Sequence, residues 1–170
     1  MEEPETWLRG PIKNVPPLLQ PVAHAILQSG KEVEKSMNGF PMEKLWERPA
    51  GVASVGFHLQ HLAGVLDRLF TYARGESLSV NQFEYLQREG SAPSESFSIA
   101  EMVGNFKIQI EKCLQQLERT SEESLLEPVA VGRKKLPSNV LGLLFHAAEH
   151  TQRHTGQLIV TVRVLVGGKE

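Results

Sequence analysis

The chain has little cysteine, few aromatic rings and no large excess of either charge. One cysteine in 170 residues, Cys113, rules out an internal disulfide and any thiolate-rich zinc site. It falls in the segment KIQIEKCLQQL, where a helical setting makes it a structural thiol rather than a nucleophile. Lys and Arg number 18 against 20 Asp and Glu, a net charge of −2 with no basic block, which argues against nucleic acid as a partner. No run approaches the roughly 18 apolar residues of a membrane span. The first ten residues, MEEPETWLRG, are acidic and lack the apolar stretch of a secretory signal. The expectation from these absences is a cytoplasmic protein with no membrane partner. What is present, 41% apolar and 22% charged residues, is the balance of an ordinary globular chain. The length suits one domain over residues 1–170 with room for a sizeable core.

Taken in order, residues 1–15 read as an extended lead-in, because Pro4, Gly10 and Pro11 interrupt any early helix. A first helix starts at Pro16 and Pro17 and carries Leu18, Leu19, Val22, Ala25, Ile26 and Val33 to about Met37, with His24 on it as a core or surface histidine. MEKLWE at 42–47 is a short turn. A second helix runs from an N-cap at Ser54 to a stop at Gly75. Residues 76–95 are a polar connection in which VNQFEYLQRE can form a short helix and Gly90, Ser91, Pro93 and Ser94 a loop. The third long helix opens with a capping box, Ser98 followed by Glu101, and keeps Met102, Phe106, Ile110, Cys113, Leu114 and Leu117 at helical spacing. Between 120 and 137 come a helical turn, SEESLLE, and an irregular excursion or tight hairpin, VAVGRKKLP. Ser138 caps a last helix that reaches Val166, ahead of Gly167 and Gly168. Four long helices without convincing strands or repeats predict an all-α antiparallel four-helix bundle. The long middle connections predict a crossover and short extra helices.

The chemistry gathers in the last helix. Residues 146–157, HAAEHTQRHTGQ, interrupt a segment that is otherwise apolar nearly all round, as a core helix is. His146, His150 and His154 recur every four residues, so their rings lie within about 80° of one helix face. Buried imidazoles without partners cost a few kcal/mol each, and a metal ion is the simplest partner. The second helix holds His58 and His61, so two helices carry five of the 6 histidines. Facing helices of a bundle are a usual place to build a metal site. Imidazoles without thiolates or a carboxylate cluster favour a borderline divalent ion such as zinc, nickel or iron. Two ligands at i, i+4 plus one from a neighbouring helix leave coordination positions open, as a catalytic site requires. Spacing does not choose between His146/His150 and His150/His154. His146–His150 also matches H-x-x-E-H, the inverted zinc-peptidase pattern with Glu149 as base. That pattern needs a downstream acidic ligand, and Glu170 is the one acid after His150, so the peptidase reading is weak.

HLQHLAGVLDRL in the second helix, together with EHTQRHTGQ in the last, resembles the DinB/YfiT family of metal-binding four-helix bundles. The resemblance extends over nearly the whole chain. Matched residue by residue, it implies His61, His150 and His154 as the metal ligands, the last followed by Thr155, Gly156 and Gln157. It also implies a metal-dependent enzyme, and two chemistries for it. The first is S-transfer using a low-molecular-weight thiol; the second is hydrolysis by metal-activated water. The S-transferase is preferred because no general base stands out beside the metal. Two readings remain: a non-catalytic metal-binding module acting as a dimer, and a metal-free bundle in which the histidines cluster by chance. The expected partners are a small-molecule substrate and a second copy of the chain, since the family often forms dimers through helix faces.

Other residues on the same stripes are pocket candidates. His58 and His146 lie one turn before His61 and His150, either as proton shuttles or substrate contacts or as ordinary core and rim histidines. Arg68 and Tyr72 follow His61 on its stripe; Arg68 suits an anionic substrate group, though a salt bridge to Asp or Glu is the commoner use. Asp67 and Glu149 face away from the histidines and read as structural or surface partners. Gln157 can bond a group near the metal or a neighbouring helix. Gly156 in mid-helix costs about 1 kcal/mol against Ala, which predicts a close approach by a helix or ligand.

Overall fold

A computed structural model of the chain describes residues 3–92 and 97–167. Pro93 and Ser94 of the expected loop, Met1 and Glu2 of the lead-in, Gly168 and Glu170 lie outside the described residues. The elements in chain order are α1 (Gln20–Met37), α2 (Val55–Ala73), α3 (Val80–Arg88), α4 (Ile99–Arg119), β1 (Pro128–Val131), β2 (Leu136–Asn139) and α5 (Val140–Val166). Four long helices and one short one, α3, give the all-α bundle expected from the apolar spacing.

Local chemistry sets most of the boundaries. Ser54 accepts a hydrogen bond from the backbone N–H of Phe57 and so starts α2. Both Ser79/Gln82 and Ser98/Glu101 form complete capping boxes at the starts of α3 and α4. The lead-in is less extended than its prolines suggest, because Thr6–Arg9 form a 3-10 turn whose Thr6 bonds Gln28 of α1. The excursion after α4 is the hairpin, with Pro128 opposite Asn139 and Val131 opposite Leu136. Its second strand engages Ser138, which pairs with Val129, so the helix starts one residue later than expected. Asn139 is the N-cap, with its Oδ1 accepting from Gly142 N at 2.7 Å. The carbonyls of Glu127 and Leu125 accept from the N–H groups of Val140 and Leu141, two donors that the first turn of a helix leaves free. The hairpin thereby fixes where α5, at ~1.5 Å per residue about 40 Å long, enters the bundle.

α5 packs against α1 and α2, and α4 packs against the same two helices from the other side. The pairs α1/α2 and α4/α5 therefore stand across the diagonals, which is the crossover that the long connections predict. His58 and His61 of α2 meet His154 and His150 of α5, so those helices run antiparallel. The core between them contains fully buried Leu19, Ile26, Leu59, Leu62, Leu66, Phe70, Phe106, Leu117, Leu144 and Leu158. Gly30 sets the approach of α1 to α4: a Cβ there would lie 2.7 Å from Cδ1 of Ile110. Cys113 is buried in this core, and burial pushes its thiol well above the usual range, so it is the structural thiol expected. No helix among the described residues is long and apolar enough to cross a membrane.

Candidate metal centre

The packed α2/α5 pair holds four histidine rings at mid-bundle. Nε2 of His61 is 2.9 Å from Nε2 of His150. The ring centroids of His61 and His150 lie 4.3 and 4.6 Å from that of His154. One nitrogen from each of His61, His150 and His154 falls within a group spanning no more than 4.8 Å. Spacing left the choice of pair on α5 open; among the described residues, His61 of α2 groups with His150 and His154.

Behind these three rings stand side chains that orient them. Nδ1 of His61 is 2.7 Å from Oε2 of Glu89, close enough that this nitrogen carries the proton and donates it to the carboxylate. The lone pair of His61 then sits on Nε2, facing the cluster. Arg68 Nη1 donates to the other oxygen of Glu89 at 2.6 Å, and both side chains are nearly excluded from solvent. Phe57 stacks on His61 with centroids 5.1 Å apart and 13° between planes. His58 is buried, and its Nδ1 lies 3.1 Å from Nδ1 of His154, which leaves Nε2 as the free nitrogen of His154. Nδ1 of His150 is buried and has no hydrogen-bond partner.

Burial favours the neutral form of His58, His150 and His154. His58 and His150 are pushed down to about 4, and His154 to about 3, first by burial and then by the neighbouring histidines. At neutral pH each of these rings therefore keeps one nitrogen with a free lone pair and one N–H. Three imidazoles, one backed by a buried carboxylate, match the donor set and outer hydrogen bonding of a divalent transition-metal site. The Nδ1 of His150 is a buried polar atom without a partner, and the ring's polar contact is the one its Nε2 makes to His61. The residues present thus fit a metal ion.

The other sequence candidates separate. Arg68 is close to the site but committed to Glu89, so the salt bridge prevails over the anion clamp. Tyr72 does not reach the histidines; its hydroxyl lies near Gly132 in the hairpin turn. Turning by 100° per residue is not the only displacement along a helix: Tyr72 is also about 16 Å further along the axis than His61. His146 is half-exposed at the rim, 5.3 Å between centroids from His150 and 3.7 Å from a carboxylate oxygen of Glu149. Glu149 in turn is held by Arg153 on the surface. Asp67 accepts from Gln82 of α3 and is a structural partner, as its direction suggested. His24 bonds the Gly10 carbonyl, far from the site in the fold. Gly156 has no neighbour: a Cβ there would meet nothing within 4 Å. Instead of a close helix contact, it borders a cavity of about 390 Å³ shared with Gln157 and His58.

Glu89 was not visible as a site residue. It lies 28 positions from His61 at the C-terminal end of α3, and no helical period relates the two. The fold delivers it through Gln60, whose amide accepts from Gly90 N at 2.7 Å and donates to Ser91 O at 3.1 Å. Gly64 leaves the space for it, since a Cβ there would collide with Glu89, Arg68 and Tyr85.

The fold and site define a helical bundle with a three-histidine centre able to hold a metal ion. A sequence model of the DinB superfamily matches residues 25–158, and the chain belongs to that superfamily. Among solved structures it is similar to a conserved protein from Enterococcus faecalis, at 15% identity and a TM-score of 0.71, covering 88% of this chain and 97% of that one. That likeness concerns the fold. No curated protein matches the sequence.

Proposed function

We propose that the protein is a metal-dependent enzyme whose divalent ion is held by His61, His150 and His154, and that it acts as a thiol-dependent S-transferase on a small molecule. The observation that carries this reading is the convergence of one nitrogen from each of three imidazoles on facing helices, two of them kept neutral by burial. A divalent ion bound there supplies Lewis acidity, which favours the ionised form of a thiol at neutral pH. The remaining tasks fall to the chain itself. Glu89 holds the proton of His61 on Nδ1 and fixes the ring; His58 does the same for His154. Phe57 covers the flat face of His61 against water.

S-transfer is favoured over hydrolysis because the carboxylates nearest the centre are already engaged. Glu89 is bonded to His61 and Arg68, and Glu149 to Arg153. Neither is free to take a proton from water, whereas a thiol, far more acidic than water, can release its proton to bulk solvent on binding without such a base.

The test is elemental analysis of protein purified without a metal-affinity tag, followed by S-transfer assays with small thiols and an electrophile such as a bimane. Near-stoichiometric zinc, nickel or iron is expected, lost in His61→Ala and His150→Ala while the helical circular dichroism persists. Thiol consumption should track metal content. A parent protein that takes up none of these ions would refute the reading; metal-dependent ester or amide hydrolysis without thiol consumption would replace it with the hydrolase.

A further inference from the structure

A second cavity, of about 580 Å³, lies between α2, α3 and α4, and no histidine lines it. Its volume is in the range of small-molecule pockets. α3 packs on α2 but buries none of its own residues, and the space between it and α4 is left unfilled. On the α4 side stand Asn105, Ile108, Gln109 and Lys112, spaced i, i+3, i+4 and i+7 along one helix face. Asp67 of α2 and Gln82 and Tyr85 of α3 line the other side.

Several of the polar groups here are already engaged. Arg74 and Glu76 pair at 2.7 Å, and the Gln82 amide donates to Asp67 and Thr71. The Tyr85 hydroxyl donates to the Gln60 carbonyl at 3.0 Å, which leaves the ring to line the cavity. Two charges remain without a counterion. Lys112 has neither a hydrogen bond nor an ion pair, and Asp67 accepts only from the neutral Gln82 amide at its side chain. They stand on neighbouring helices, across the cavity, and do not pair with each other. Tyr85 and Ile108 are 40% and 51% exposed, so two large apolar groups of the same walls are left in water.

We infer that this cavity binds a small zwitterion with an apolar body, of the aromatic amino acid type, its carboxylate toward Lys112, its ammonium toward Asp67 and its ring against Tyr85 and Ile108. The site is separate from the histidine cluster and does not depend on the metal-centre reading. A simple anion would meet the carboxylates of Asp67 and Glu76 as well as Lys112. A wholly apolar molecule would take Asp67 and Lys112 out of water without pairing either. A zwitterion satisfies both charges at once, and its side group covers the two exposed apolar residues.

The experiment titrates L-phenylalanine into the full chain, with and without zinc, and follows backbone amide NMR signals. Those of Gln82, Tyr85, Ile108 and Gln109 should shift saturably, with a dissociation constant on the order of 1 mM. The signal of Val164 on α5, outside the cavity, should stay in place. Phenethylamine, which lacks the carboxylate, and phenylpropionate, which lacks the ammonium, should each bind at least about fivefold more weakly. Glycine, which lacks the ring, should produce no saturable shift. Lys112→Ala should bind phenylalanine no better than phenethylamine, and Asp67→Asn no better than phenylpropionate. Asn at 67 keeps an oxygen for Gln82, and Lys112 is exposed, so neither change disturbs packing. No saturable shift with phenylalanine, or equal binding of phenylalanine and phenylpropionate by the parent, would overturn the proposal. So would variants that bind phenylalanine as the parent does. The cavity contains none of the proposed metal ligands, so uptake of zinc or its failure leaves this result standing.

Discussion

Replacing Glu89 by Gln tests the architecture behind the histidines. The carboxylate accepts from His61 Nδ1 at 2.7 Å and from Arg68 Nη1 at 2.6 Å, with its side chain only 5% exposed. Gln keeps the shape but offers one acceptor oxygen where two donors converge, and its amide group faces a donor. Two consequences follow, of different origin. Arg68, 9% exposed at its side chain, becomes an uncompensated buried charge; removing one partner of such a pair costs about 3–5 kcal/mol. The oxygen that Gln retains places the expected loss near ~3 kcal/mol. Separately, His61 loses the anion that fixes its tautomer and raises its basicity, an outer contact worth about 10–100-fold in metal affinity. Urea unfolding followed by circular dichroism reads the first effect, and zinc competition against a chromophoric chelator reads the second. Glu89→Gln combined with Arg68→Met separates them: removing the stranded charge should restore most of the stability and little of the affinity. Zinc affinity within about threefold of the parent in Glu89→Gln would refute the orienting role. So would a double variant whose affinity returns together with its stability.

Two further predictions concern the same centre. Gly64→Ala should destabilise the protein by about 1–3 kcal/mol through overpacking, because the new methyl meets Arg68 Nη1 at 2.6 Å and Tyr85 Cε1 at 2.7 Å as well as Glu89. A rise in melting temperature, as helix propensity alone would give, would show that the Glu89 network yields without penalty. The pH dependence of the metal-free chain follows from the depressed histidines. His58, His150 and His154 fall from the ordinary 6.5 to about 4, 4 and 3 in the fold, so the unfolded chain binds more protons between those limits. Their contribution is full above pH 6.5 and is lost as the pH falls toward 4 and 3, so the urea midpoint should drop steadily from pH 7 to pH 4. A variant with all three replaced by Gln should show a flatter profile; equal slopes would assign the acid sensitivity to other groups.

The helices were legible because their signals are local. Ser54, Ser98 and Glu101 cap the elements they were expected to cap, through bonds spanning three residues. Misreadings came where a distant segment competed. Ser138 lost the cap of α5 to Asn139 because a strand formed with Val129 takes it first. Gly156 was expected to mark a close approach by a helix or a ligand, and no neighbouring helix comes near it, since a glycine shows that room is present without showing what fills it. Tyr72 shares a helical stripe with His61 but not its height along the axis, and ends beside the hairpin.

The sequence by itself determined an all-α chain, the positions of its long helices, and a face of α5 rich in histidine, because helical period and capping depend on neighbours a few residues apart. Resemblance to a family narrowed the metal ligands to His61, His150 and His154. Only the tertiary structure decided what lies behind them. Glu89 reaches His61 through a loop clamped by Gln60, Arg68 turns to Glu89, and His58 turns to His154. Such contacts join residues separated by 21 to 96 positions, and no period in the chain encodes them. They arise when helix packing brings buried polar groups within reach and leaves each one to find a partner in a place without water.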